Sequence, residues 1–180
     1  QGDTAMFERF SERAVRVVVL AQEISRRRGS KFLSLDDLMI AILSEGTSPA
    51  AIILQKRKVF LPLRKRILSP KEVLELQIVR IEVPFSPRSR AVLEKAISIS
   101  LEMSIPWTGT EHILMALTQD DSTSLDMWWG VIDVTPEQIY EDVLDHIENS
   151  PTYYAEIIEK RNDEYMEEVK EQEGHDSEWL

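Results

Sequence analysis

The chain has 180 residues, 43% of them hydrophobic, with no cysteine and a formal net charge of −11. The lack of cysteine excludes disulfides and cysteine-ligated zinc and suits a reducing compartment, so the cytoplasm is the default expectation. The acidic balance argues against a nucleic-acid partner. No apolar run reaches the roughly 20 residues that a membrane-spanning helix needs, so a membrane partner is not expected.

The sequence repeats itself at an offset of 75 residues, the separation of Phe10 and Phe85. Phe10-Ser-Glu-Arg13 returns as Phe85-Ser-Pro-Arg88, and Ser34-Leu-Asp-Asp37 returns as Gly109-Thr-Glu-His112. Small and large apolar positions are preserved together at the same offset. Self-similarity at a fixed spacing indicates one supersecondary unit built twice.

Helical spacing dominates the first repeat. Apolar residues recur at three- and four-residue steps over Ser11–Arg27, which predicts an amphipathic helix ended by Gly29. A second, more hydrophobic helix is predicted from Ser34 or Leu35, a third after Pro49, and a short fourth turn after Pro62. Each half is therefore expected to be a small all-helical bundle.

The second repeat carries clearer helix-start signals. Ser86-Pro87 places a capping hydroxyl before a proline at the first helical position. Thr135-Pro136 does the same for the last helix, with Gln138 positioned as in a capping box.

The segments outside the repeats differ in character. Residues 72–84 alternate branched apolar side chains, which predicts an extended linker. Residues 151–180 carry ten Asp or Glu against three Lys or Arg, and apolar residues on one face predict a last acidic helix. The predicted domains are a first repeat at 6–68, a linker at 69–84, a second repeat at 85–148 and an acidic extension at 149–180.

Three segments resemble the N-terminal domain of Clp-family unfoldases, closest to the ClpC type. They are the opening segments of the two repeats, Met6-Phe-Glu-Arg-Phe10-Ser-Glu-Arg13 and Phe85-Ser-Pro-Arg88, and the motif Gly109-Thr-Glu-His112. The resemblance covers about residues 6–147. It implies an all-α fold of two pseudo-symmetric four-helix Clp repeats packed as one domain, followed here by the acidic helix or tail. Such domains dock adaptors and substrates for an attached ATPase and its protease ring.

The resemblance also implies candidate ligand contacts. In similar bacterial proteins, the Glu of each Gly-Thr-Glu-His motif binds the guanidinium of phosphoarginine, a degradation mark. By position this points to Glu111 and, through a shorter carboxylate, to Asp36, with Arg13 and Arg88 as candidate phosphate contacts. The alternative is structural: Ser34 or Thr110 caps a helix, and Asp36, Asp37 and Glu111 favour its positive end.

Aromatic residues supply further candidates. Phe7 and Phe10 occupy positions that the family uses for packing and for partner contacts at the repeat junction, and core packing is the main expectation. Trp128 and Trp129 stand where relatives have small or aliphatic residues. Because adjacent helical residues point about 100° apart, we expect the two indoles not to enter the core equally, and one of them is a candidate interface anchor. The acidic tail is either a solvated helix or a docking arm.

The sequence has three basic clusters, which are interpreted either as solvated helix ends or as contacts for an acidic partner. They are Arg26-Arg27-Arg28, Lys56-Arg57-Lys58 and Arg64-Lys65-Arg66. The sequence has no G-x-x-x-x-G-K-[ST] phosphate loop, no recognisable catalytic constellation and only lone histidines. We therefore expect no catalytic residues, no metal and no cofactor.

The sequence favours a freestanding, non-enzymatic accessory or adaptor protein of the Clp chaperone–protease system that regulates proteolysis. Its expected partners are Clp ATPase or protease subunits, adaptors, or substrates, including phosphoarginine-marked ones. The cytoplasm is the expected location, with the plastid stroma as an alternative. The competing interpretation is a protein-interaction module that reuses the Clp scaffold for an unrelated partner.

Overall fold

The structure, a computed structural model, describes residues 5–59, 65–76, 83–121, 128–130 and 133–150. The chain divides into two compact units, residues 1–144 and 145–180, of which the second is described only over 145–150. The predicted acidic extension therefore lies mostly outside the described residues. The predicted boundaries between repeats and linker stay a prediction.

Helices make up the regular secondary structure of the described residues, which confirms the all-α prediction. A short 3-10 helix, Phe7–Arg9, comes first. The longer helices are α1 Glu12–Arg27, α2 Leu35–Glu45, α3 Pro49–Lys56, α4 Pro70–Glu75, α5 Pro87–Glu102, α6 Thr110–Thr118 and α7 Pro136–Glu148. Residues 128–130 are also helical.

The 75-residue offset governs the helix boundaries. The first and last residues of α5 lie 75 positions after those of α1. The first residue of α6 lies 75 positions after the first residue of α2. Helix α1 packs mainly on α2, and α5 packs on α6 in the same way. Across the repeats, α3 contacts α6 and α2 contacts α5. The predicted duplication is thus a structural duplication.

The central helices α2 and α6 form the middle of the core. Almost every residue of α2 and eight of the nine residues of α6 are buried. This matches their more uniformly apolar sequences, since a helix that is apolar on all sides is stable only when it is covered on all sides. Both polar helix starts are consequently held close to the core.

Backbone conformations that disfavour side chains recur at equivalent positions. Gly29 (φ 68°) ends the first turn after α1, and its equivalent, Ser104 (φ 57°), does the same after α5. Lys58 (φ 60°) and Asp133 (φ 52°) form a second equivalent pair. A positive φ strains any L-residue other than glycine. The backbone conformation is therefore repeated even at positions where the residue present makes it unfavourable.

Two isolated bridges join the repeats reciprocally. Phe10, before α1, pairs in parallel with Thr108, before α6, and Phe85, before α5, pairs in parallel with Leu33, before α2. The 75-residue offset converts one bridge into the other. Each repeat thus supplies its entry residue to the loop between the first two helices of the other repeat.

Four backbone hydrogen bonds form these bridges, and they too are equivalent in pairs. They are Ser11 N to Thr108 O (2.9 Å), Thr108 N to Arg9 O (2.6 Å), Ser86 N to Leu33 O (3.0 Å) and Leu33 N to Pro84 O (2.9 Å). Leu33 and Thr108 are fully buried. Because a buried backbone group without a partner is costly, each bridge has to form whenever the core forms.

The helix starts explain the remaining boundaries. The serines Ser11, Ser34, Ser48, Ser69 and Ser86 each accept a hydrogen bond from a backbone N–H in the first turn of the following helix. The predicted capping box at α7 is confirmed: the N–H of Thr135 donates to Gln138, and the N–H of Gln138 donates to Thr135.

The prediction of an extended linker over residues 72–84 is wrong at its start. Helix α4 covers Pro70–Glu75, because Ser69 and Glu72 form a reciprocal capping box and Pro70 occupies the first turn. These local signals outweigh the alternation of apolar residues that suggested a strand. Leu76 is extended, and residues 77–82 lie outside the described residues.

Within the described residues, no single helix is long and apolar enough to cross a membrane. Helices α2 and α3 meet the length and composition only when they are taken together, and a 94° bend separates them.

The start of α6 depends on His112. Its Nδ1 accepts a hydrogen bond from the N–H of Gly109 (2.8 Å), and the side chain is fully buried. An accepting Nδ1 requires an unprotonated ring nitrogen. Burial lowers the pKa of His112 from its usual value, and the nearby charge of Glu111 opposes this only in part. The folded chain therefore keeps this histidine neutral.

The strained position of Ser104 predicts a stabilising substitution. Replacing it with the glycine found at the equivalent position, Ser104→Gly, should raise the free energy of unfolding by about 0.5–1 kcal/mol, since glycine adopts a positive φ without steric cost. The matched control, Ser98→Gly, lies exposed inside α5 and should lower it by a similar amount. Urea unfolding measures both, and a loss of stability in Ser104→Gly would contradict the duplicated backbone path.

The neutral His112 predicts a pH dependence of stability. As the pH falls below about 6.5, the unfolded chain takes up a proton at His112 that the folded chain resists, so the free energy of unfolding decreases. His112→Gln keeps an acceptor at the same helical position but does not titrate, so it should flatten the dependence between pH 7.5 and 5.5. Urea unfolding across that range measures the slope, with His146→Gln as the control, and equal slopes for wild type and His112→Gln would refute this role.

Candidate docking site

The two helix-start motifs, Ser34-Leu-Asp-Asp37 and Gly109-Thr-Glu-His112, occupy equivalent places in the two repeats. In each, the fourth residue reaches back to the N–H of the first: the Oδ2 of Asp37 accepts from Ser34 N (2.8 Å), as the Nδ1 of His112 accepts from Gly109 N (2.8 Å). In both motifs, the side chain of the fourth residue thus satisfies the N–H of the N-cap residue, Ser34 or Gly109. The third residue, Asp36 or Glu111, is left for other contacts.

In the first motif, one carboxylate oxygen of Asp37 holds the start of α2. Its Oδ2 accepts hydrogen bonds from the Ser34 hydroxyl (2.9 Å) and from the Arg28 guanidinium (2.8 Å), in addition to the Ser34 N–H. The side chain is completely buried, and its Oδ1 has no hydrogen-bond partner. The structural interpretation of Ser34 as a helix cap is confirmed.

Asp36 lies beside the cap and contacts the other repeat. Its Oδ1 accepts a hydrogen bond from the indole Nε1 of Trp128 (2.9 Å), and its Oδ2 lies 3.9 Å from the Arg66 guanidinium. The Asp36 side chain is 27% exposed. An acidic side chain at this position in the first turn is favoured by the positive end of α2.

In the second motif, Glu111 is more deeply placed, at 5% exposure. The Thr110 hydroxyl lies at 3.4 Å from its Oε2. The carboxylate lies over Gly109, in the space that a side chain at that position would need. A side chain at position 109 would therefore require the Glu111 side chain to move. Thr110 is not the cap, because Gly109 takes that position and His112 satisfies its N–H.

The structure gives Arg13 and Arg88 equivalent contacts. Arg13 donates to the carbonyl of Thr47 (3.1 Å), and Arg88 donates to Asp120 and Asp121 (3.1 Å each). Hydrogen bonding to Asp121 and the charge of Asp120 raise the pKa of Arg88. Each arginine therefore links the start of the first helix in its repeat to the loop after the second.

Phe7 and Phe10 join the second repeat at the junction. Phe7 packs edge-on against Phe10 with ring centroids 5.1 Å apart, and it lies 5.9 Å from Phe85, the equivalent of Phe10. Phe10 and Phe85 are buried, at 8% and 6% exposure, while Phe7 is only partly buried. The expectation of core packing holds for Phe10, and Phe7 remains accessible at the edge of this cluster.

The expectation that the two adjacent tryptophans enter the core unequally is wrong. Trp128 and Trp129 are 3% and 4% exposed. Adjacent helical side chains point about 100° apart, but this helical segment is covered on both faces. Trp128 also satisfies its buried N–H through Asp36, as buried indoles usually require a partner. Neither indole is an exposed anchor.

Two further contacts were not assigned from the sequence. Glu45 accepts hydrogen bonds from Thr47 and from the N–H of Ser48 before α3. Burial opposes its ionisation, but these bonds prevail and lower the pKa of Glu45. Arg57 forms a two-point ion pair with Asp142 of α7 (2.6 and 2.8 Å).

Of these contacts, only that of Glu45 could have been predicted from a sequence pattern. The pattern is an acidic residue three positions before a serine that is followed by a proline. The Arg57 pair, and that of Arg66 with Asp36, join residues far apart in the chain. Within the part of the chain that the structure describes, no group of three or more His, Asp or Glu residues is placed to hold a metal ion.

Comparison with known proteins gives a consistent family. Residues 4–57 match the Clp repeat (R) N-terminal domain family. A 117-residue stretch, 64% of the chain, is 38% identical to the ATP-dependent Clp protease ATP-binding subunit ClpA homolog of Cyanidium caldarium, and covers 14% of that protein. A 118-residue stretch is 32% identical to the chloroplastic chaperone protein ClpC1 of Arabidopsis thaliana, and covers 12% of it. The matched region thus spans only a small part of these relatives.

Solved structures share the fold. The N-terminal domain of the chaperone ClpD from Arabidopsis thaliana aligns with a TM-score of 0.60 at 21% identity, covering 79% of this chain and 96% of that domain. The Hsp104 N-terminal domain from Candida albicans aligns with a TM-score of 0.58 at 16% identity, covering 76% of this chain and 90% of that domain. The family match over residues 4–57 and the sequence identity to Clp subunits support a Clp N-terminal domain, and the solved structures show that its fold is shared.

Proposed function

We propose that this chain is a non-enzymatic accessory or adaptor protein of the Clp chaperone–protease system, which docks substrates, adaptors or Clp subunits. The observation that carries the proposal is the completeness of the match: both repeats are present, and they cover 96% of a solved Clp N-terminal domain. The matched relatives are named as an ATP-binding subunit of Clp protease and a Clp chaperone. Their ATPase activity is no part of the proposal.

The location belongs to the same proposal. The cytoplasm is the default for a chain without cysteine, and the plastid stroma is the alternative, since several matched relatives are named as chloroplastic.

The docking contacts are proposed at the two helix-start motifs. Asp36 and Glu111 hold equivalent positions at the starts of α2 and α6, and neither is the residue that caps its helix. A carboxylate there can accept a guanidinium, including that of phosphoarginine-marked substrates, through charge-assisted hydrogen bonds. Arg13 and Arg88 are the candidate phosphate contacts, and Arg88 has to leave Asp120 and Asp121 to bind a phosphate. Because Glu111 is 5% exposed, binding there requires its side chain to turn outward.

The proposal predicts a measurable effect on Clp-dependent degradation. Added intact chain should bind the ClpC-type ATPase or protease subunits, and it should change the degradation rate of a labelled unfolded substrate by at least about twofold, a change of roughly 0.4 kcal/mol in the apparent barrier. Glu111→Gln and Asp36→Asn should each reduce the effect, because they remove the charge that accepts a cationic group. Surface plasmon resonance and a fluorescence degradation assay measure these two quantities.

The matched control is Glu94→Gln, which removes one exposed acidic charge from α5 and should leave binding and degradation unchanged. A chain that binds no Clp component and alters no degradation rate would defeat the proposal. Reproducible binding of a protein outside the Clp system, weakened by deletion of residues 151–180 but not by Glu111→Gln, would instead support a reused scaffold.

A further inference from the structure

We propose that the Trp128 indole closes the first helix-start motif, so that an arginine of a partner binds both carboxylate oxygens of Asp36 only after this contact opens. The inference rests on the docking role proposed above and deepens it, since it makes one of two equivalent motifs conditional. Trp128 belongs to the second repeat and Asp36 to the first, so the closing contact also links the two repeats.

The contact is well formed on both sides. The Nε1 of Trp128 donates to the Oδ1 of Asp36 at 2.9 Å, and the indole is 3% exposed. A hydrogen bond to an ionised acceptor is stronger than one between neutral groups. Breaking it without a substitute would leave a buried indole N–H unsatisfied. The closed arrangement is therefore the stable one in the free chain.

The groups around Asp36 define the chemistry of a ligand that could replace the indole. Among the described residues, its Oδ1 accepts one N–H, from Trp128, and its Oδ2 lies 3.9 Å from the Arg66 guanidinium. Once the indole withdraws, both carboxylate oxygens can accept hydrogen bonds. The planar guanidinium of a partner arginine offers N–H donors to both oxygens at once, and it competes with Arg66 for the same negative charge.

The residue equivalent to Trp128 cannot close the second motif in the same way. The 75-residue offset places Ile53 at the position equivalent to Trp128, and Ile53 is buried at 6% exposure. Its side chain has no hydrogen-bond donor, so it cannot make the equivalent contact with Glu111. The contact between Trp128 and Asp36 therefore has no counterpart at Ile53, the equivalent position of the first repeat.

The test compares two adjacent, equally buried tryptophans. Trp128→Phe removes the Nε1 donor and keeps most of the ring, while Trp129→Phe is the matched control. The probe is the peptide acetyl-Gly-Arg-Gly-amide, followed through the backbone amide signals of Leu35, Asp36 and Asp37 in NMR titrations. Trp128→Phe should bind the peptide about tenfold more tightly than wild type, the effect expected from losing one competing hydrogen bond to a charged group. Trp129→Phe should bind like wild type.

A second substitution tests whether the tighter peptide binding occurs at Asp36. Adding Asp36→Asn to Trp128→Phe should abolish the tighter binding, because the charged acceptor is removed. The proposal is overturned if Trp128→Phe binds no more tightly than wild type, or if Trp129→Phe gains as much, which would indicate general loosening of the fold.

A measurement on the wild-type chain remains decisive if Trp128→Phe fails to fold. Saturating peptide should accelerate hydrogen exchange at the Trp128 Nε1 and leave that at the Trp129 Nε1 unchanged, and equal exchange with and without peptide overturns the closure. A chain that docks Clp components but shows neither effect loses only the closure. A chain that shows both effects but docks no Clp component loses only the proposed Clp role.

Discussion

Two reciprocal backbone bridges hold the arrangement on which the other features depend. Each entry residue, Phe10 or Phe85, is bonded into the opposite repeat, at Thr108 or Leu33. The buried hydroxyls of Ser89 and Thr108 add hydrogen bonds at these points, to Leu33 O (2.8 Å) and to Ser100 (2.9 Å). Because these polar groups are buried, opening one repeat alone would leave the other with unpaired donors and acceptors. The repeats are thus expected to be stable only as a pair.

This frame places two polar helix starts at equivalent positions next to the core. In both, the fourth residue caps the helix and leaves the third residue's carboxylate without a capping role. The sequences then diverge around an unchanged backbone. Arg28 pairs with the charged cap Asp37, whereas the equivalent of Arg28 is Met103 and the cap there is a neutral histidine. Duplication preserved the geometry, and substitution gave each motif its own electrostatics.

Much of the fold could be predicted from the sequence, because the signals involved are local. The offset between Phe10 and Phe85 predicts the equivalent helices, and Ser-Pro pairs predict their starts. The bridges could not be predicted, since single extended residues have no periodicity to detect. The helix at Pro70–Glu75 was missed because alternation was preferred to capping. The burial of both Trp128 and Trp129 depends on contacts between repeats that local spacing does not contain. For the candidate site, the motif residues could be named, but not their partners Arg66 and Trp128.

Hydrogen exchange of the bridge amides shows whether the two repeats form one cooperative frame. The four donors are Ser11, Leu33, Ser86 and Thr108. In a cooperative frame, all four exchange with the same opening free energy as the core amides of α2 and α6, under native conditions and with added denaturant. Fast exchange at one bridge while the other stays protected would contradict it, because the repeats would then open independently.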